Sequence, residues 1–198
     1  MMLAAGATAC PSAASRAARQ WSCEVNVERR DVLRGVNLGN WLLLEKWMRP
    51  ALFDGTGAVD EYTLCRALGR SAESVLRRHR DQFITDDDFA WLAARGINAI
   101  RLPFGYWIVE PDEPFVSSPE HLDRAIDLAG QYGLKVVLDL HGLPGSQGPE
   151  HHTGRGGHFR WHLDEPHVPR SLDIIEQIAH RYADRPAVVA FSVVNEPE

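Results

Sequence analysis

The stretch Leu134-Lys135-Val136-Val137-Leu138-Asp139-Leu140, followed by His141 and Gly142, decides the fold. It is short, nearly continuously apolar and rich in β-branched residues, the pattern of a parallel strand buried on both faces. By the two-residue period of a strand, Val136, Leu138 and Leu140 share one face, and Val137, Asp139 and His141 share the other. The aliphatic face predicts packing against helices. The other face ends in His141 and predicts a polar mouth at the C-terminal end of the strand. Three further segments read as strands: Val32 to Asn37, Ile97 to Pro103, and Ala187 to Val194.

Helices with recognisable ends separate these strands. Thr85 with Asp88 predicts a capping box for a helix through Phe89, Trp91 and Leu92, stopped by Gly96. Ser118-Pro119-Glu120 predicts an N-cap, a first-turn proline and an acid at the positive end of the dipole, with Gly133 closing that helix. A third helix carries Leu172, Ile175, Ile178 and Ala179 as its apolar stripe. The stretch from Trp41 to Phe83 is longer than an ordinary βα loop and is expected to hold two short helices. Strands alternating with helices give an α/β fold with a parallel sheet, either an open doubly wound sheet or a TIM (β/α)8 barrel. A dinucleotide-binding sheet wants G-x-G-x-x-G after an early strand. Here Gly35-Val36-Asn37-Leu38-Gly39-Asn40 follows instead. Polar residues gather at strand ends (Asn37, Arg101, His141, and Asn195 with Glu196), where barrel enzymes place their chemistry. The barrel is the favoured reading, with about four β/α units present.

Composition narrows the function classes. The 198 residues carry 21 basic and 27 acidic side chains, a formal charge of −6, which disfavours nucleic acid as a partner. With 44% apolar and 24% charged residues the chain is ordinary for a globular protein, and no run of about 18 apolar residues is present. No membrane partner is expected. Cys10, Cys23 and Cys65 form neither a disulfide framework nor a paired zinc motif. Residues 1 to about 28 read as a disordered or processed extension. Its charges follow its weakly apolar stretch rather than precede it, so a cytoplasmic location is slightly preferred to secretion.

Six of the nine histidines fall between His141 and His167. The spacing of His158 and His162 suits zinc only on a helix, and Gly154-Arg155-Gly156-Gly157 precedes it. This segment reads as a polar loop that shapes a cleft, and neither a metal nor any other cofactor is expected.

Arg34-Gly35-Val36-Asn37-Leu38-Gly39-Asn40-Trp41-Leu42-Leu43-Leu44-Glu45 resembles glycoside hydrolase family 5, most closely its exo-β-1,3-glucanase-like branch. Arg80-Asp81-Gln82-Phe83, Arg101-Leu102-Pro103-Phe104-Gly105-Tyr106-Trp107, Asp139-Leu140-His141-Gly142-Leu143-Pro144-Gly145-Ser146-Gln147 and Asn195-Glu196-Pro197 continue the resemblance in order. It implies a retaining O-glycoside hydrolase acting on β-linked oligo- or polysaccharides, either β-glucans or β-glucosides. It implies Glu196 as general acid/base, Asn195 on the sugar 2-hydroxyl, and Arg101 orienting the nucleophilic glutamate. His141 lines the same subsite, and Glu45 binds sugar hydroxyls. Tyr106 and Trp107 offer flat faces for sugar stacking, while Trp41, Trp47 and Trp91 read as core or loop anchors.

Relatives in that branch carry a phenylalanine and an asparagine soon after the Gln147 block, whereas this chain has Gly148-Pro149-Glu150-His151-His152-Thr153. The resemblance therefore implies a β-glucosidic substrate without its linkage. A barrel of this class needs about 250 residues and eight strands. Residues 29–198 are accordingly expected to be the N-terminal part of a catalytic domain, truncated after the fourth strand, with the nucleophile outside the chain. A non-catalytic sugar-binding half-barrel and a metal-dependent barrel hydrolase are the alternatives.

Overall fold

In the computed structural model, residues 32–198 are described, and Leu33–Glu198 forms one unit. The extension expected over residues 1–28 lies outside the described residues, as do Cys10 and Cys23. Four strands, β1 (Gly35–Asn37), β2 (Ala99–Gly105), β3 (Lys135–Gly142) and β4 (Val188–Ser192), form one sheet. All pairings are parallel, and the spatial order is the chain order. A doubly wound sheet reverses its strand order at a switch point, and this sheet has no reversal. Strictly sequential addition is barrel topology. Asn37, Arg101 and Val137 stand level across β1, β2 and β3, and Asp139 stands level with Ser192 of β4.

The helices close over one face of the sheet, as the aliphatic side of β3 predicts. Val136, Leu138 and Leu140 are buried with Ile100, Leu102 and Phe104 of β2. They pack with Leu122 and Ile126 of α4 (Pro119–Gln131) and with Ile174 and Ile178 of α5 (His167–Tyr182). Each such aliphatic side chain contributes about 1.5–3 kcal/mol by leaving water. The stripe of α5 is shifted from the expected one. Ser171, Ile174, Ile178 and Tyr182 face inward, one i, i+3, i+7, i+11 row, while Leu172 is 61% exposed. No described helix is long and apolar enough to cross a membrane.

Helix α3 (Asp86–Ala94) starts on the expected capping box: Asp88 Oδ2 accepts from the Thr85 N–H at 2.8 Å and from Thr85 Oγ1 at 2.9 Å. Ser118 precedes α4 but does not cap it through its side chain. Its hydroxyl is buried and accepts from Arg80 Nη1 at 2.8 Å. The guanidinium is the stronger donor, and a buried arginine left short of acceptors is costly.

The long β1–β2 connection holds α1 (Glu61–Leu68) and α2 (Ala72–Gln82), as expected. Its interior is a second apolar cluster around Leu44, Phe53, Leu64, Leu76 and Val116. At the junction with the sheet lies a fully buried ion pair, Arg80 Nη2 to Glu61 Oε1 at 3.0 Å. The same Oε1 accepts from Trp107 Nε1 at 3.0 Å, Oε2 accepts from the Leu44 N–H at 2.8 Å, and Arg80 Nη1 donates to the Val116 carbonyl at 2.7 Å. Burial drives the Glu61 carboxyl upward, against the opposing pull of Arg80. Asp60 caps α1 through Oδ1 on the Thr63 N–H, and its Oδ2 accepts from the Gly156 N–H at 2.8 Å. Tyr62 N–H donates to the Gly154 carbonyl at 2.9 Å. These two bonds hold the histidine-rich loop against the elaboration. Gly154 stands at φ +87°, and a Cβ there would meet the Trp107 ring at 2.1 Å, so only glycine fits.

Candidate active site

The polar face of β3 supplies the centre of the cluster. Asp139 is fully buried, and its Oδ2 accepts from His141 Nδ1 at 2.7 Å and faces Arg101 Nη2 at 2.8 Å. One carboxylate oxygen thus joins two of the expected site residues. The other ring nitrogen of His141, Nε2, faces Asn195 Nδ2 at 3.5 Å. Arg101 Nη2 also donates to Asn195 Oδ1 at 2.8 Å, and Nη1 donates to Asn37 Oδ1 at 3.0 Å. Arg101 is the third residue of β2, not its last, and it stands beside Asn37, the last residue of the shorter β1. Gln147 closes the cluster from below: its Nε2 donates to the carbonyls of His141 at 2.7 Å and Asn195 at 2.9 Å. That bond pair ties the end of β3 to the segment after β4.

Glu196 follows Asn195 with φ +42°, in the left-handed region. A non-glycine residue held there costs on the order of 1 kcal/mol, and the chain bends at Asn195 and Glu196. The turn leaves Asn195 buried and the Glu196 carboxylate 74% exposed. Glu196 Oε2 lies 3.6 Å from His152 Nε2. The His152 ring stands edge-on to His141, centroids 5.2 Å apart. Burial and the neighbouring His141 hold the His152 imidazole below its usual pKa, against the opposing pull of Glu196, Glu45 and Glu150.

Glu45 comes from the loop after β1. Its N–H donates to Asn40 Oδ1 at 2.8 Å, and its Oε2 accepts from Trp47 Nε1 at 2.8 Å. Asn40 is itself at φ +58°, and its carbonyl accepts from His79 Nε2 at 2.7 Å. Arg101 and His141 therefore meet on Asp139 and both reach Asn195, while Glu196 faces His152, and Glu45 and His152 line one cavity. Asp139, Gln147 and His152 received no role from the sequence. For Asp139 a signal existed: a lone acid two residues before His141, on the same strand face of an otherwise apolar run.

Several aromatic assignments change. Tyr106 and Trp107 are buried, and Trp107 stacks on Phe115 with centroids 3.9 Å apart, so neither presents a face for sugar. Trp41 is core, as expected, and its indole N–H donates to the Arg80 carbonyl at 2.7 Å. Trp47 is neither core nor covered anchor, being 76% exposed. Trp91 is 54% exposed beneath the Arg95 guanidinium. His158 and His162 lie outside any helix, and His162 packs on Phe159. No cluster of three or more metal-ligating side chains occurs among the described residues.

Residues 69–198 match the family Cellulase (glycosyl hydrolase family 5). Across 202 aligned residues the chain is 42% identical to the probable glucan 1,3-beta-glucosidase A of Aspergillus niger, covering 99% of this chain and 47% of that protein. It is 42% identical over 188 residues to the glucan 1,3-beta-glucosidase of Blumeria graminis, covering 90% and 43%. Among solved structures, the rutinosidase from Aspergillus niger superposes with a TM-score of 0.76 at 31% identity, covering 83% of this chain and 48% of that one. The chain thus spans less than half the length of these relatives, and its four β/α units correspond to part of a TIM barrel. On the strength of the matched residues, the chain belongs to glycosyl hydrolase family 5, the cellulase family.

Proposed function

We propose that these residues supply the general acid/base and part of the sugar-binding face of a retaining O-glycoside hydrolase acting on β-glucans or β-glucosides. The observation that carries the reading is the clamp on Asn195, held by Arg101 at 2.8 Å and facing His141, immediately before Glu196. Relatives named glucan 1,3-beta-glucosidase support a β-glucosidic substrate.

Each step has a residue on this chain. Glu196, as carboxylic acid, protonates the departing glycosidic oxygen, and as carboxylate it then deprotonates the incoming water. Asn195 is fixed by its neighbours, so its amide meets the sugar 2-hydroxyl without reorganising as charge develops at the anomeric carbon. Arg101 and His141 are held by the single Asp139 oxygen and present fixed donors and acceptors to the same sugar. Glu45 accepts from hydroxyls at the rim. Retention also requires a second carboxylate about 5–5.5 Å from the first, acting as nucleophile. No described residue is assigned that role.

Glu196→Gln in the full-length protein tests the proposal. Hydrolysis of unactivated β-glucosides should fall about 10²–10⁴-fold, the contribution of a positioned acid/base, while oligosaccharide binding persists. A loss below about tenfold refutes it.

A further inference from the structure

A cavity of about 140 Å³ lies between the loop after β2, the loop after β3 and the start of α5. None of Arg101, His141, Asn195 or Glu196 lines it. Thr153 does, while the preceding His152 faces Glu196, so adjacent residues of one loop serve different spaces. Arg155 brings the charge. Its guanidinium lies over the Tyr62 ring, 4.1 Å from the centroid, and makes no ion pair among the described residues. A ring face attracts the charge but accepts no strong hydrogen bond, so the N–H donors stay available. The backbone beneath is fixed: Ser146 Oγ donates to the Arg155 carbonyl at 3.1 Å, and the Gly156 N–H donates to Asp60. His167 packs on Gly145, where a Cβ would meet its ring at 2.4 Å, and its Nδ1 is buried without a partner. Such a nitrogen is costly unless something meets it. His158 completes the wall. Burial and the Arg155, His167 and Arg160 charges hold its imidazole below its usual pKa, against the pull of Asp164. Of the acids at the edge, Asp112 is engaged by the Tyr106 hydroxyl and Arg170 Nη1, and Glu113 is exposed.

We propose that this cavity binds one inorganic oxyanion of the phosphate type, with Arg155, His158 and His167 as its donors. A tetrahedral oxyanion accepts on every side, which suits a guanidinium and two imidazoles. The space is well below the roughly 300 Å³ at which sites for organic ligands begin, so an ion fits and a sugar phosphate does not. The bound ion joins the loop after β3 to the start of α5. It thereby adds a tie to the two bonds that hold this loop against the elaboration.

The test is calorimetric titration of the full-length protein with inorganic phosphate at fixed pH and ionic strength. The parent should bind one ion per chain, and its unfolding midpoint should rise with phosphate and not with chloride. Arg155→Gln should weaken binding at least about tenfold, the loss of charge-assisted donors. His158 lies outside any helix, so His158→Gln, expected to weaken binding severalfold, keeps the test decisive if the arginine variant misfolds. Arg181→Gln, which alters an exposed arginine on α5, should bind like the parent. Absence of both heat and midpoint shift in the parent overturns the site. Equal weakening by Arg155→Gln and Arg181→Gln also overturns it, since the effect would then be general charge. Glucose 6-phosphate binding as tightly as inorganic phosphate overturns the free ion as the occupant.

Discussion

Lowering the pH should loosen the loop that carries Glu45, through His79. This histidine is 4% exposed, stacks on Phe83 at 4.8 Å, and has both ring nitrogens occupied. Nδ1 faces Arg49 Nη1 at 3.1 Å and must accept, because arginine only donates. Nε2 therefore carries the proton and donates to the Asn40 carbonyl at 2.7 Å. A second proton would have to sit on Nδ1, against a guanidinium. Burial, reinforced by the Arg49 and Arg80 charges, pushes His79 down to about 4 from 6.5. Between those values the unfolded chain binds the proton and the folded one does not, so stability is lost as the pH falls. A fall from 6.5 to about 4 gives a loss of roughly 2 kcal/mol by pH 5 and roughly 3 kcal/mol by pH 4. Urea unfolding of the parent and of His79→Gln across pH 4–7 isolates this share, since every other titrating group is common to both. The parent should lose about 2 kcal/mol more than the variant between pH 7 and pH 5. Parallel curves, within about 0.5 kcal/mol, would refute the argument that His79 folds as a neutral donor to Asn40.

Arg80→Met leaves the Glu61 carboxylate buried without its partner and should destabilise the fold by about 3–5 kcal/mol, with Glu61→Gln in the same chain recovering part of the loss. Full additivity of the two changes in urea unfolding would show that the pair is not coupled. Arg101→Lys should cut turnover strongly with little change in unfolding midpoint, because one ammonium cannot serve Asn37, Asp139 and Asn195 from a planar fork. Unchanged steady-state kinetics would mean that Arg101 belongs only to a structural ion pair.

Much of this protein is set by neighbours in sequence. Strands announce themselves by unbroken apolar runs, and β2, β3 and β4 lie where those runs are, shifted by one or two residues, although β4 is only partly covered, with Val189 47% exposed. The capping box at Thr85 and Asp88 formed as written because both partners sit within one turn. His141 stands next to last in β3, as strand alternation predicts for the end of that run, whereas Arg101 lies inside β2 and Asn195 and Glu196 lie beyond the end of β4. Ser118 shows the limit of local reading. Its hydroxyl had a helix to cap, yet it serves Arg80, 38 positions away, whose buried charge demands more. The union of Arg101 with Asn195 spans 94 positions, and the bond from Gly156 to Asp60 spans 96. Only tertiary structure decides such pairings, because they depend on parallel register and on which loops are brought face to face. The same holds for Trp47: indole is equally at home in a core or on a rim, and its sequence neighbours do not distinguish them. The approach of His152 to Glu196 likewise follows from the segments after β3 and β4 lying at the same end of one sheet.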